Sequence, residues 1–414
     1  MSKDRAPVAF IFTVVVINML GVGLAWPILP KLIQVFEGGN ISSAAFQYGL
    51  VASAYALTQF LFSPLLGNLS DAYGRRPVLL ASQAGLAVDY VILAVAPNYW
   101  WLFAARLVSG MLGATISTAN AYMADISTPE NRARNFGFMG VAFGMGFIAG
   151  PAIGGLLGEI DIRLPFYAAA ALTALNTAYG YFLLPESLPP EKRRPVGRLW
   201  NSNPVTALSN MAQFPVLLPM FVALFVTSLS GRGLESIWVL YTDFRFGWTL
   251  RDSALSLAFV GVMFIIVQGL LVGPSVRILG ERKVVLFGYV VAIVALFLFG
   301  IADRGWMLFP LTGLYIVGAA LAEPALKAIC SRSVPDDRQG LLQGVFASIG
   351  SIAIIVGPIT ASIMLSNVSG PSPIIDLPGI WFLFGSFLFV VALVSVARRV
   401  VLEQTQVSGD SAEP

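Results

Sequence analysis

The chain of 414 residues contains no histidine, a single cysteine (Cys330) and few charges: 11% of its residues are charged and 57% are apolar. Without histidine it lacks the side chain whose ordinary titration lies nearest neutral pH, and no zinc cluster of the Cys/His type can form. One cysteine excludes an intrachain disulfide. A nucleophile motif of the kind an intramembrane enzyme needs is also missing. Soluble proteins carry about a quarter charged residues, so the shortage here points to lipid as the solvent.

The long apolar runs agree. About 20 apolar residues cross a bilayer core, and twelve such spans are expected, near 8–33, 46–68, 77–96, 100–124, 134–158, 165–185, 214–240, 252–276, 283–301, 306–330, 339–366 and 378–398. The first is too long for a signal-peptide core and is expected to be retained. The predicted class is an all-α polytopic membrane protein. The net charge of +3 follows from topology rather than from nucleic-acid binding. With the N-terminus inside, seventeen of the 25 Lys and Arg fall on cytoplasmic segments, including Arg132, Arg134, Lys192, Arg193 and Arg194. Five fall on the other face (Lys31, Arg163, Arg245, Arg251 and Arg304), and three lie within spans. This bias expects both termini in the cytoplasm.

The polar stretch "PESLPPEKRRPVGRLWNSNP" divides the spans six and six. The expected organisation is an N-terminal bundle over 1–185, a linker over 186–212, a C-terminal bundle over 213–399 and a flexible tail over 400–414. The halves are related. A shift of 206 carries Gly67 and Gly74 onto Gly273 and Gly280, and "STPENR" (127–132) onto "SVPDDR" (333–338). Gly150-Pro151 falls on Gly357-Pro358 one residue further along. Duplication of a six-helix unit is the signature of transporters that rock two pseudo-symmetric bundles about a midplane site.

The segment "GNLSDAYGRRPVLL" (67–80) joins spans 2 and 3. Gly67 and Gly74 are expected to permit close helix approach and a left-handed turn. Asp71 is an acceptor for helix-terminal amides or for Arg75 and Arg76. Two readings stand: a conformational latch, or arginines that hold the loop inside.

This segment resembles the loop 2–3 signature of the major facilitator superfamily. "LGVGLAWPILP" (20–30), "RLVSGMLGA" (106–114) and "GFIAGPAIGG" (146–155) are similar to the helix 1, helix 4 and helix 5 motifs of its drug–proton antiporters. "AYALTQFLFSPLLG" and "IWVLYTDFRFGW" look like the tetracycline-efflux branch. The resemblance implies that Arg106 is a proton-path or substrate residue, and that Asp125 joins a charge network with the loop 2–3 arginines. It also implies an antiporter-type helix 5 motif at Gly146, Gly150, Pro151, Gly154 and Gly155. The chain departs from the branch at Asn18, where an aspartate is usual, at Ala72, where a basic residue is usual, and in having no helix 8 histidine.

Charges within spans need a reason, because each costs about 3 kcal/mol on insertion scales. Asp89 and Arg106 lie at matching depth in the hairpin of spans 3 and 4 and are expected to pair. Span 7 carries Arg232 and Glu235 on one face, and span 10 carries Glu323, beside Pro324, with Lys327. Glu235, Glu323, Asp89 and Arg106 are the proton-coupling candidates, against the reading of static ion pairs. Polar and aromatic residues within spans are candidates for an amphiphilic pocket: Asn18, Gln59, Asn120, Tyr122, Arg232, Trp238, Tyr241 and Gln268, with Trp26 nearer a span end. Gly144, Gly146, Gly150, Gly154 and Gly155 are expected to form a packed seam between the halves, bent at Pro151.

The expected function is secondary transport: proton-coupled efflux of an amphiphilic, drug-like molecule, tetracycline-like included, by a monomer in a bacterial inner membrane. No cofactor, metal, catalytic residue or nucleic acid is expected. Uptake or facilitated diffusion of a metabolite is the alternative within transport. A receptor or an intramembrane enzyme is the alternative outside it.

Overall fold

The computed structural model describes residues 5–113, 115–128, 130–193 and 210–410. Residues 194–209, which hold Arg194 and most of the expected linker, lie outside the described residues, as do 411–414 of the expected tail. Among the described residues every regular element is helical. In lipid this follows from the need to satisfy each backbone N–H and C=O within its own segment.

Among the described residues, fifteen α-helices build twelve crossings. The first crossing is α1 (Arg5–Ala25) continued by α2 (Ile28–Phe36), and α3 (Ile41–Tyr73) and α4 (Arg75–Val95) follow. The fourth is made of α5 (Tyr99–Met111) and α6 (Thr115–Asp125). Then come α7 (Arg132–Ile160), α8 (Leu164–Leu183), α9 (Leu218–Phe246), and α10 (Leu250–Ile266), which joins α11 (Val272–Leu279) through a π-helical turn at Val267–Leu271. The last four are α12 (Glu281–Ile301), α13 (Leu308–Arg332), α14 (Gln339–Ser369) and α15 (Ile380–Asp410). Helical backbone thus runs beyond Arg399, where the sequence leads one to expect a flexible tail. Among the described residues, eleven crossings are long and apolar enough to span a membrane by composition. The twelfth, α8, has 20 residues, but Tyr167, Thr173, Asn176, Tyr179 and Tyr181 dilute its apolar character.

Local chemistry sets the ends. Asn40 caps α3 by accepting from the Ser43 amide at 3.1 Å, and Asn98 caps α5 by accepting from the Trp100 and Trp101 amides. Such caps satisfy donors that the first turn leaves open. At α3–α4 the chain reverses through Gly74, with φ +108° and ψ 160°. At the equivalent turn between α11 and α12, Gly280 has φ +76° and ψ 154°. That backbone region is essentially restricted to glycine, so the duplicated glycine is a duplicated turn. Gly67 differs: it sits inside α3, and a Cβ there would meet nothing within 4 Å. The close approach expected of it is absent.

Two compact units emerge: Met1–Pro204 with Thr242–Gly261, and Val205–Tyr241 with Val262–Pro414. In the first, α1 packs on α7 and α8, α3 on α5, and α4 on α8. In the second, α12 packs on α13 and α15. The closest approaches use glycine. A Cβ on Gly150 would lie 2.6 Å from the Gly23 Cα, and one on Gly318 would lie 2.6 Å from the Gly288 carbonyl oxygen.

Candidate functional site

The α3–α4 turn is the centre of a charge network in the first unit. Arg75 pairs with Asp71 (2.5 Å) and, through Nε, with Asp125 Oδ2 (3.0 Å), and its Nη1 donates to Ser70 Oγ at 3.0 Å. Ser187 Oγ also donates to Asp125 at 3.2 Å. Arg76 goes elsewhere: its Nη2 donates to the Tyr181 carbonyl at 2.6 Å and its guanidinium lies over the Tyr181 ring. Asp71 therefore serves Arg75 and leaves Arg76 to α8.

The sequence reading missed the anion that stabilises this turn, Glu186. Its Oε1 accepts from the Arg75 amide at 2.8 Å and the Leu188 amide at 3.0 Å, and its Oε2 accepts from the Arg76 amide at 3.2 Å. Two arginines at the positive end of α4 are unfavourable, and a carboxylate on the same amides offsets them. A Cβ on Gly74 would collide with Glu186 Oε2, so a side chain there would have to displace the carboxylate from its amide bonds, in addition to the strain of its φ. The available signal was an acid directly after span 6, in "PES".

The second unit has the same arrangement with the charges exchanged. Glu281, the first residue of α12 and the equivalent of Arg75 at the shift of 206, pairs with Arg332 at the end of α13. In the loop that follows Asp125, the side chain of Thr128 hydrogen-bonds Glu130 and holds its carboxyl below the usual carboxylate range.

Asp89 and Arg106 form the salt bridge expected from their depths. The carboxylate is 3% exposed, and the guanidinium lies between the rings of Tyr55 and Tyr90, 5.6 and 5.9 Å from their centroids. Beyond Arg106 the fourth crossing, expected to be continuous, breaks between α5 and α6. Glycines 110 and 113 weaken the helix there, and Gln59 Nε2 donates to the freed Gly113 carbonyl at 3.1 Å. Gln59 thereby repairs backbone, and Tyr55 Oη lies 3.5 Å from the same amide.

In the second unit Arg232 pairs with Glu235 at 2.9 Å along α9, and Lys327 with Glu323 at 2.5 Å along α13. Tyr315 lies within the electrostatic reach of Glu235, Glu323 and Arg232. All four charged side chains are between 42% and 56% exposed. Ionised groups at membrane depth face a wet cavity rather than acyl chains, so this face of the unit is chemically suited to water, protons and polar ligands.

The pocket candidates separate into two groups. Asn120, Arg232 and Gln268 are exposed at membrane depth, and Gln268 occupies the π-helical turn, a distortion often found at functional positions. Asn18, Tyr122, Trp238 and Tyr241 are buried. Tyr122 is spent on packing, with its hydroxyl donating to the Pro185 carbonyl at 2.9 Å. Trp238 and Tyr241 join Phe299 and Phe382 in an aromatic cluster. Trp26 packs edge-on against Phe147.

The glycine motif of α7 does two jobs. Gly146, Gly150 and Gly154 pack on Met19, Leu20, Gly23 and Leu24 of α1, inside their own bundle, so the expected seam between halves does not describe them. Gly155 faces Leu250 and Ala254 of α10. Helix α7 continues through Pro151 without a break. Nearby, Lys31 pairs with Asp243 at 2.6 Å and Gln34 donates to the same oxygen at 3.0 Å. Both line a cavity of about 520 Å³ together with Val35, Gly39, Ile162 and Leu250.

Comparison with known proteins gives this geometry a context. The chain is 38% identical to the tetracycline resistance protein, class C, of Escherichia coli over 399 residues, 96% of this chain and 98% of that one. It is 37% identical to the class G protein of Vibrio anguillarum (95% and 98%). It is 26% identical to multidrug resistance protein 2 of Bacillus subtilis (95% and 96%). In fold it resembles the human organic anion transporter MFSD10 (TETRAN), with a TM-score of 0.69 and 23% identity over 96% of this chain and 100% of that one. The description "Major Facilitator Superfamily" matches residues 11–302 and 267–413. The chain belongs to the Major Facilitator Superfamily.

Proposed function

We propose that the protein is a secondary transporter that exports an amphiphilic, drug-like molecule across a bacterial inner membrane in exchange for protons. The observation that carries this reading is the similarity, along nearly the whole chain, to proteins named for tetracycline resistance. The membrane-embedded charges support it. Antiport requires a group that binds a proton in one state and yields it in another, by differential affinity of the two states. Glu235, Glu323 and Asp89, each beside a cation, are the carboxylates assigned to that task, with Arg106 as the counter-ion of Asp89. Asn120 in the first unit, and Arg232 and Gln268 in the second, are the exposed polar side chains assigned to ligand contact, each within its own unit.

Both termini are assigned to the cytoplasm, and the Asp71–Arg75–Asp125 network with Glu186 is then a latch on the cytoplasmic mouth. Each chain works as a monomer. The test is purified protein in liposomes with an imposed pH gradient, assayed with tetracycline and with a panel of amphiphilic cations and zwitterions. Addition of a substrate should move protons, and the imposed gradient should concentrate substrate. Unchanged coupling after joint neutralisation of Glu235, Glu323 and Asp89 would remove the proton assignment. Absence of any exchange would remove the antiport reading.

A further inference from the structure

The seam between α1, α4 and α8, inside the first unit, holds polar groups that the packing does not account for. Gln83 is 1% exposed, and neither its Nε2 nor its Oε1 has a partner among the described residues. The same holds for Thr173 Oγ1 and for Asn176 Oδ1, whose amide nitrogen donates to the Val14 carbonyl at 3.2 Å. Asn18 and Tyr90 are buried alongside. Buried amides and hydroxyls without partners are rare, because each costs about 1–3 kcal/mol; where they cluster, ordered water satisfies them.

Their order along the seam is informative. Gln83 lies twelve residues before the end of α4, and Asn176 twelve after the start of α8. The end of α4 and the start of α8 meet at one face of the bundle, where Arg163 donates to the Ala94 and Ala96 carbonyls, so the two amides share a depth. Thr173 stands about one turn further out, and Tyr90 two turns above Gln83 on the same face of α4. The Tyr90 hydroxyl points back along the helix towards Thr173. Gly21 leaves the space between them: the position a Cβ would take there is 3.3 Å from Thr173 Oγ1 and 3.6 Å from Tyr90 Oη. On its other side the Tyr90 ring lies against Arg106, the partner of Asp89.

We propose that this seam binds a short file of water molecules, running from Gln83 and Asn176 past Thr173 and Asn18 to the Tyr90 hydroxyl, and that the file is the proton route to Asp89. The routing rests on the antiport reading; the hydration does not. In the transfer a hydronium ion of the file loses a proton to the Asp89 carboxylate and becomes water, while Arg106 keeps its charge. A chain without histidine would use this route in place of an imidazole relay.

Two measurements test it. Hydroxyl radicals generated from bound water by a synchrotron X-ray pulse label buried side chains only where water is held. Tyr90 should be oxidised at least tenfold faster than Tyr122, which is equally buried but bonded to a carbonyl. Equal rates would overturn the water file. In liposomes, Thr173→Val and Asn176→Leu, singly and together, should slow substrate-driven proton flux at least tenfold and leave substrate affinity within twofold. A seam that is dry would instead show higher thermal stability in Gln83→Leu and Asn176→Leu with unchanged flux, and that result overturns the proposal. Tyr90→Phe, which preserves packing, serves where a leucine variant fails to fold; full proton flux in it would overturn the route. A wild type that labels at Tyr90 but exchanges no protons would refute antiport and the routing while leaving the water site standing.

Discussion

Replacing Glu186 by glutamine isolates one interaction of the α3–α4 turn. The side chain keeps its size and loses its charge, and one of its two oxygens becomes an NH₂ group that faces amide donors. In the structure those donors are the amides of Arg75, Arg76 and Leu188, at 2.8, 3.2 and 3.0 Å. Hydrogen bonds to charged groups contribute about 1.5–3 kcal/mol each when protected, and a charge at a helix terminus about 0.3–1 kcal/mol when exposed. Glu186 is half-buried, so the low end applies, and a loss of about 1.5–2 kcal/mol is expected for the variant as a whole. At 1.4 kcal/mol per factor of ten this corresponds to about a 10–30-fold rise in the open population of the turn. Hydrogen–deuterium exchange of a peptide covering Arg75 and Arg76 reads that population directly. Because Arg75 also holds Asp125, Glu186→Gln and Asp125→Asn should be non-additive in a double-mutant cycle. Wild-type exchange rates at these amides in Glu186→Gln would refute the claim that Glu186 offsets the charge at the start of α4.

Other outcomes follow from the same geometry. Asp89→Asn leaves the Arg106 guanidinium buried and uncompensated, at an expected cost of about 3–5 kcal/mol; the double variant Asp89→Asn with Arg106→Gln should melt higher than the single one in a thermal-shift assay. Gly280→Ala should cost about 1–3 kcal/mol through its backbone alone, since nothing lies within 4 Å of the new Cβ. Gly74→Ala adds the collision with Glu186 and should melt clearly lower than Gly280→Ala. In a chain carrying Ile162→Cys at the cavity wall, Lys31→Asp and Asp243→Lys should each speed labelling of that cysteine by a water-soluble thiol reagent, and the exchanged pair should restore protection, because the ion pair contributes about 1 kcal/mol in either orientation.

The twelve crossings were readable because they depend on one quantity, the length of apolar runs, and the duplication because glycine marks turns that no other residue can make. The pairing of Asp89 with Arg106 could be reached from depth alone. Three features could not. The break after Arg106 depends on Gln59 reaching the Gly113 carbonyl 54 positions away. The role of Glu186 depends on α8 ending beside α4. The faces of Gly146, Gly150 and Gly154 depend on which neighbour α7 meets, and periodicity shows that a helix face packs without showing on what. Tyr122 illustrates the same limit, since a tyrosine in a span has the same letter whether its hydroxyl meets a ligand or the Pro185 carbonyl.

The exchanged charges at the two equivalent turns bear on how the halves were tuned. The first half has Arg75 at the start of α4 and Asp125 at the end of α6, while the second has Glu281 at the start of α12 and Arg332 at the end of α13. An acid at a helix N-terminus and a base at a C-terminus agree with the helix dipole, and the first half has the reverse of both. Among the described residues, a third carboxylate, Glu186, is bonded to the amides of the turn in the first half alone. The turn with unfavourable dipoles is therefore conditional on a residue from the entry to the linker, and the other turn is stable by itself. On the proposed latch assignment, the first turn is the one that withdrawal of Glu186 releases. Moving charge to make it resemble the second, with Arg75→Glu and Asp125→Arg together, should stabilise the turn without Glu186. Amide exchange there should then become insensitive to Glu186→Gln, and persistent sensitivity would show that the dipole argument is wrong.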